Sequence, residues 1–219
     1  MDRRNVQSQE GVTLVGAGLP RGQDVADAMI HAPFLVAADG GAAFCMSEQL
    51  TPRAVIGDFD SLDPALRDAM DGTRMIRVDE QISTDFEKCL TLIDAPFVIA
   101  TGFTDGRLDH TMAALSVLAR GLGPPTLMIG PEDVIFSAPA RLALDLPPGT
   151  RLSLFPMAPV TGRSAGLEWP IDGLTLDPMG RIGTSNRVTG PVELAFDKPG
   201  CLVIIPRPGL AAALRALTG

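Results

Sequence analysis

Near residue 138 the hydrophobic period of this chain changes, and that change limits the folds open to it more than any other feature. Before it, short continuous apolar runs alternate with amphipathic segments. Residues 12–15, 34–38, 54–56, 75–78, 97–100 and 126–129 read as buried strands, with helices predicted near 22–31, 41–50, 64–70, 84–94 and 108–120. In 84–94, Phe86, Cys89, Leu90 and Ile93 recur at i, i+3, i+4 and i+7 and share one helical face. In 108–120, Leu108, Met112, Leu115 and Ala119 follow the same spacing, with Arg120 and Gly121 as a stop signal. Strands that are apolar throughout and alternate with helices call for a mostly parallel sheet with helices on both faces.

After residue 138 the period is two. Leu142, Leu144 and Leu146 alternate with Arg141, Ala143 and Asp145; Leu152 and Leu154 alternate with Arg151 and Ser153; Val192, Leu194 and Phe196 alternate with Glu193, Ala195 and Asp197. With Pro and Gly between the runs, this reads as a small antiparallel β-sandwich, closed by a short helix over 210–217. The expected fold class is therefore α/β: an N-terminal, mostly parallel sheet with flanking helices over 11–138, followed by a C-terminal antiparallel β-sandwich over 139–219. The expected boundary lies at residues 137–140.

Composition narrows the function classes. Apolar residues make up 46% and charged residues 20% of 219, as in an ordinary soluble enzyme. A net charge of −8 argues against a nucleic-acid surface, which needs a basic footprint. It suits a site that handles metal-bound phosphates or a cationic small molecule. Lys88 and Lys198 are the only lysines. Cys45, Cys89 and Cys201 show neither zinc spacing nor a disulfide framework, so a reducing cytoplasm is expected. Residues 1–10 are polar with no apolar h-region, and no apolar stretch approaches the length of a membrane span.

Polar clusters recur directly after the strands of the first half, where open α/β sheets bind their ligands. The sharpest is Asp58 and Asp60 in Val-Ile-Gly-Asp-Phe-Asp-Ser, 55–61. On extended backbone, residues i and i+2 point to the same side, so the two carboxylates repel unless a cation lies between them. A hard, oxygen-seeking ion such as Mg²⁺ suits that place. An ordinary strand-end turn explains the same residues equally well. Gly16-Ala17-Gly18 after the first strand would let backbone amides approach a phosphate, or simply form a turn. Asp39-Gly40-Gly41 follows the second strand. Ser83 to Lys88 and Asp105 to His110 open the helices after the fourth and fifth.

Structural explanations exist for each. Thr84 with Glu87 matches a capping box, and Asp85 and Asp109 suit the first turn of a helix. They do not explain why several carboxylates, an arginine and a lysine gather on one rim. Phosphoryl transfer needs that inventory: carboxylates for Mg²⁺, and Arg and Lys for charge developing on phosphate oxygens. In the second half, Trp169 is the only tryptophan in a chain without tyrosine, and Pro170 biases it to extended backbone. It reads either as a core residue or as a flat face for a cationic aromatic ligand. Thr184, Ser185 and Asn186 read as a hairpin turn or as hydrogen-bonding groups for a heterocycle edge.

These residues resemble those of the thiamine pyrophosphokinases. Ala38-Asp39-Gly40-Gly41-Ala42, Gly57-Asp58-Phe59-Asp60-Ser61, Thr84-Asp85-Phe86-Glu87-Lys88 and Gly106-Arg107-Leu108-Asp109-His110 are similar to four N-terminal signatures of that family, in order. Gly166-Leu167-Glu168-Trp169-Pro170 and Gly180-Arg181-Ile182-Gly183-Thr184-Ser185-Asn186 resemble its thiamine-domain motifs, with a closing strand over 202–205. The resemblance covers about residues 11–206. It departs from the family at Asp105, where a Gly is usual, and at Ala114, where an Asn is frequent.

The resemblance implies a homodimer whose N-terminal domain takes ATP and whose C-terminal domain takes thiamine. It implies transfer of pyrophosphate from ATP to the thiamine hydroxyl, with AMP released. Asp58, Asp60 and Asp85 would be the Mg²⁺ carboxylates. Lys88, Arg107 and Asp109 complete the candidate catalytic set. Gly16, Gly18, Asp39, Gly40, Arg107 and His110 are candidate nucleotide contacts, and Trp169, Thr184, Ser185 and Asn186 candidate thiamine contacts. Two other readings stand beside it. A Mg²⁺-dependent phosphatase would use Asp58 as nucleophile, but that pattern wants Thr or Val two residues beyond the second Asp, where Ser61-Leu62 follow here. A non-catalytic thiamine or nucleotide sensor would have no need of a full carboxylate set.

Overall fold

Continuous apolar strands pair with one another in parallel because neither face is left to water, and the first half of the chain is built in this way. The structure is a computed structural model that describes residues 6–60, 62–80 and 82–219; Ser61, part of one signature, lies outside them. The chain divides into two compact units, one formed by residues up to 117 with 122–131, the other by 118–121 with 132–219.

In chain order the first half runs β1 (Val6–Gln7), β2 (Val12–Val15), α1 (Gly22–His31), β3 (Phe34–Ala38), α2 (Gly41–Ser47), β4 (Ala54–Gly57), α3 (Pro64–Asp68) and β5 (Arg74–Arg77). It continues with α4 (Asp85–Leu92), β6 (Ile93–Asp94), β7 (Val98–Thr101), α5 (Leu108–Ala119) and β8 (Thr126–Ile129). Six of these strands form a parallel sheet in the order β8-β7-β2-β3-β4-β5. Every residue of β2, β4, β7 and β8 is buried. Val15, Leu35, Ala37 and Val55 pack with Val25 of α1 and Ala42 and Cys45 of α2 in one cluster. Truncating a leucine in such a core costs about 2–5 kcal/mol. The Thr13 hydroxyl, buried in β2, donates to Ala32 O at 2.6 Å and ties the end of α1 to the sheet.

Two short elements escaped the sequence reading: β1 pairs in parallel with β6, two residues each. The buried face of α5 also differs from the expected one. Leu108 and Met112 are 71% and 61% exposed, whereas Ala114, Val117 and Leu118 are buried. This helix is apolar on more than one side, and the expected stripe holds only toward its C-terminal end, where Leu115 is half-buried and Ala119 buried.

The second half runs β9 (Asp133–Ser137), β10 (Arg141–Leu144), β11 (Arg151–Pro156), β12 (Val160–Leu167), β13 (Thr175–Leu176), β14 (Gly183–Phe196), β15 (Cys201–Pro206) and α6 (Leu210–Thr218). All its ladders are antiparallel. The expected alternation is visible as burial: Leu142, Leu144, Val192, Leu194 and Phe196 point inward between exposed or half-exposed neighbours. The 14-residue strand β14 pairs with β11 along its first part and with β10 and β12 further on. The expected boundary at 138 falls after β9, whereas the division of the chain falls before it, because β9 pairs with β15 through five residues. Thr184, Ser185 and Asn186 lie inside β14 rather than in a hairpin turn.

Candidate active site

From β2 the chain steps outward through β3, β4 and β5, then returns to the other side of β2 for β7 and β8. The loops after β2 and β7 therefore leave in opposite directions and open a crevice, the usual ligand position in such sheets. A cavity of 650 Å³ occupies it, lined by Gly18 and Leu19 after β2 and by Gly102, Phe103 and Gly106 after β7. Asp58, Asp85, Lys88, Arg107 and His110 line the same space. Six of the expected site residues thus share one cavity. Gly16, Asp39, Gly40, Asp60 and Asp109 are not among its lining residues.

The two glycines after β2 have a structural task at the crevice. The Gly16 amide donates to Thr101 O at 2.8 Å and the Gly18 amide to Gly102 O at 2.8 Å, so neither is left for a phosphate. A Cβ on Gly16 would stand 2.6 Å from Gly102 O, and one on Gly18 2.5 Å from Asp105 O. The glycines let the two crevice loops lie backbone against backbone. Sequence cannot separate this use of glycine from close approach to a ligand.

Asp39 braces the neighbouring carboxylate turn. It is buried, and its Oδ1 accepts the Phe59 amide at 3.1 Å. Both residues hold left-handed backbone, φ +35° at Asp39 and +64° at Phe59. Such conformations cost about 1–3 kcal/mol each and persist only where surroundings hold them. Gly57 makes room, since a Cβ there would sit 2.7 Å from Asp39 Cβ. Phe59 at positive φ puts a bend between Asp58 and Asp60. The Asp60 amide then donates to Asp58 Oδ1 at 3.1 Å.

Asp85 opens α4, whose N-cap Thr84 accepts the Glu87 amide at 3.2 Å, as the capping pattern predicts. Lys88, one turn on, has a side chain only 3% exposed, with Nζ 3.6 Å from Asp85 Oδ1. Burial pushes the Asp85 carboxyl above its ordinary value; the Lys88 charge opposes this, and the Asp58 charge adds to it. Among the described residues no three Asp, Glu, His or Cys side chains converge closely enough to hold an ion by themselves. The donor chemistry at Asp58 and Asp85 nevertheless fits a hard divalent cation, because two carboxylates on one cavity disfavour each other's charge and a cation between them relieves that. Substrate phosphates and water commonly complete a Mg²⁺ shell that carboxylates begin.

Arg77, at the end of β5, was missed by the sequence reading. Its guanidinium is held above its ordinary value first by Asp79 and then, more weakly, by the charges of Asp60 and Asp58. Lys88 also faces a second cavity of 420 Å³, which Arg77 lines with Asp79, Glu80 and Ser83. The signal that would have found Arg77 is its place as the last residue of a parallel strand.

In the loop after β7, Arg107 pairs with Asp109, Nη2 to Oδ2 at 2.5 Å, and both are well exposed. That bond holds the Asp109 carboxyl below its ordinary value. Asp105, where the family pattern has Gly, pairs with Arg21 at 3.7 Å, so its added charge is met from the β2–α1 loop. Phe86 and Phe103 pack with ring centroids 4.6 Å apart at the cavity wall.

In the second unit Trp169 lies just beyond β12 and is 53% exposed as a residue, which excludes a core role. Thr184 and Ser185 are exposed, and Ser185 has φ +60° with its amide bonded to Ser153 Oγ at 2.9 Å. Asn186 is buried, with its carboxamide turned to the Trp169 backbone.

By architecture this is an α/β protein with a charged cavity at a topological switch point, followed in sequence by an antiparallel β unit. Two family models match it: "Thiamin pyrophosphokinase, catalytic domain" over residues 25–124 and "Thiamin pyrophosphokinase, vitamin B1 binding domain" over 141–201. Thiamine pyrophosphokinase 1 of Oryza sativa subsp. japonica is 27% identical over 156 residues, 63% of this chain and 59% of the rice protein. Thiamin pyrophosphokinase 1 of Caenorhabditis elegans is 28% identical over 155 residues, 63% of each chain. The match thus spans less than two thirds of either relative. Thiamin pyrophosphokinase from Candida albicans shares the fold with a TM-score of 0.74 at 17% identity, over 94% of this chain and 95% of that one. The two family models together span well over half of the sequence, and the chain belongs to the thiamine pyrophosphokinase family.

Proposed function

We propose that the protein transfers the pyrophosphoryl group of ATP to the hydroxyl of thiamine, giving thiamine diphosphate and AMP. The observation that carries this reading is the convergence of Asp58, Asp85, Lys88 and Arg107 on one switch-point cavity in a chain of this family. In the reaction the thiamine hydroxyl oxygen bonds to the β-phosphorus, the bond from that phosphorus to the bridging α,β-oxygen breaks, and the hydroxyl proton is lost to solvent or base.

Asp58 and Asp85, with Asp60 beside them, would hold Mg²⁺, which when bound offsets negative charge on the phosphate oxygens. Lys88, buried and fixed near Asp85, supplies a positive charge in a water-poor place, where it acts more strongly than at the surface. Arg107 carries a planar fork suited to phosphate, released to it by exchanging its Asp109 partner. Gly18, Leu19 and His110 would border the nucleotide. Asp39 and Gly57 hold the carboxylate turn in place, so that little reorganisation is needed during transfer.

Trp169 would stack on the thiamine ring system, with Thr184 and Ser185 offering hydrogen bonds. A cation over an indole face contributes roughly 0.5–2 kcal/mol. The alternating burial in β10 and β14 supports reading the two C-terminal ladders as leaves of a sandwich. Exposed Leu108 and Met112 on one face of α5 support a homodimer, and three buried free thiols support a reducing cytoplasm. Among the described residues no helix is long and apolar enough to cross a membrane.

Incubation of the full chain with ATP, Mg²⁺ and thiamine, followed by separation of products, tests the reading. AMP and thiamine diphosphate should form in equal amounts. Release of ADP or inorganic phosphate in their place, or a phosphoaspartate at Asp58, would overturn it.

A further inference from the structure

We propose that Asn186 is a positioning residue for the Trp169 indole and governs affinity for the cationic ring substrate through that indole, without touching the substrate itself. This rests on Trp169 being the thiamine platform. The carboxamide of Asn186 clamps the Trp169 backbone at two points: its Oδ1 accepts the Trp169 amide at 3.1 Å, and its Nδ2 donates to Trp169 O at 2.7 Å. The same Oδ1 accepts the Arg187 amide at 2.8 Å. Most of the group's hydrogen-bonding capacity is thereby used inside the protein. A buried amide so engaged can serve a ligand only by giving up bonds that are expensive to leave unmade.

The clamp sits where the strand ladder ends. β12 stops at Leu167, the Glu168 amide still reaches Arg187 O at 2.9 Å, and at Trp169 the Asn186 side chain replaces the ladder. Two register shifts fall on this stretch of β14: one in β11 between Leu152 and Leu154, the other in β12 between Ala165 and Leu167, where Gly166 has φ +73°. Such irregularities re-aim side chains at functional sites. The Glu168–Arg187 ion pair alongside, 3.1 Å and largely exposed, adds little. Trp169 is half-exposed, and in this proposal its indole takes its direction from the backbone at 169, which Asn186 holds.

Because Trp169 is the only tryptophan, intrinsic fluorescence of the full chain reports this residue alone. Asn186→Ala should shift the emission to longer wavelength and increase acrylamide quenching before any ligand is added. Its thiamine KM should rise by about fivefold, within what one cation–π contact supplies, with kcat and the ATP KM within about twofold of the parent. Asn186→Asp, which keeps Oδ1 but faces Trp169 O without a donor, should show the same pattern. Combined with Trp169→Ala, Asn186→Ala should raise the thiamine KM no further than Trp169→Ala does alone.

Multiplying effects in that pair, or an unchanged emission spectrum in Asn186→Ala, overturns the proposal. An unchanged thiamine KM in Trp169→Ala strikes the platform reading instead, and the emission of Asn186→Ala still decides the clamp. If Asn186→Ala fails to fold by circular dichroism, Asn186→Ser carries the same measurements.

Discussion

The two units solve the placing of functional groups differently. In the first, charged side chains stand at the ends of buried parallel strands, and the turns that carry them are braced by a buried acid and by glycines packed against backbone. In the second, one neutral aromatic ring stands just beyond a strand end, its backbone held by a single carboxamide. The difference follows from the forces involved. Charges act over distance but repel one another, so a group of them needs a stiff frame. A stacking ring needs only the right direction, and one clamp supplies that.

Removing a charge from the frame should have the largest effect. Asp58→Asn or Asp85→Asn should lower kcat by about 10²–10³ while the thiamine KM stays near that of the parent; steady-state kinetics with Mg²⁺ in excess decides it. Loss of thiamine affinity in these variants would erase the distinction between the two regions. Trp169→Ala should do the reverse, raising the thiamine KM about 2- to 30-fold, the equivalent of roughly 0.5–2 kcal/mol, with kcat preserved. Gly57→Ala places a Cβ 2.7 Å from that of Asp39 and should destabilise the first unit by about 1–3 kcal/mol, visible in denaturant unfolding.

The smallest effect concerns Asp197, whose carboxylate accepts the Thr161 amide at 2.8 Å and lies below its ordinary value of 3.8 because of that bond. Its stabilising contribution is therefore present above that value and fades as pH falls through the lower folded one. The melting-temperature difference between the parent and Asp197→Ala should hold steady well above pH 3.8 and shrink as the pH is taken below it.

Much of the first unit was legible because its strands are apolar from end to end. The expected strands at 54–56, 75–78 and 97–100 differ by no more than a residue at either end from Ala54–Gly57, Arg74–Arg77 and Val98–Thr101. The pairing of β1 with β6 was not legible, since two residues show no period. The N-terminal part of the stripe on α5 was misread because Leu108 and Met112 match helical spacing as well as the buried residues do. At the candidate site, Asp58, Asp85 and Lys88 could be read from type and place after a strand. Asp39, Gly16 and Asn186 could not be given their observed parts, because each works through a hydrogen bond or close approach to backbone distant in sequence. Asp39 and Phe59 are twenty residues apart, and Asn186 and Trp169 seventeen.

The length of β14 has a mechanical consequence for the C-terminal half. A single strand is shared by both groups of ladders, so neither group can peel away while the other stays whole. Local opening is replaced by concerted loss, and the backbone amides of Val188, bonded to Thr150 O at 2.9 Å, and of Leu194 should exchange with deuterium through the same rare event.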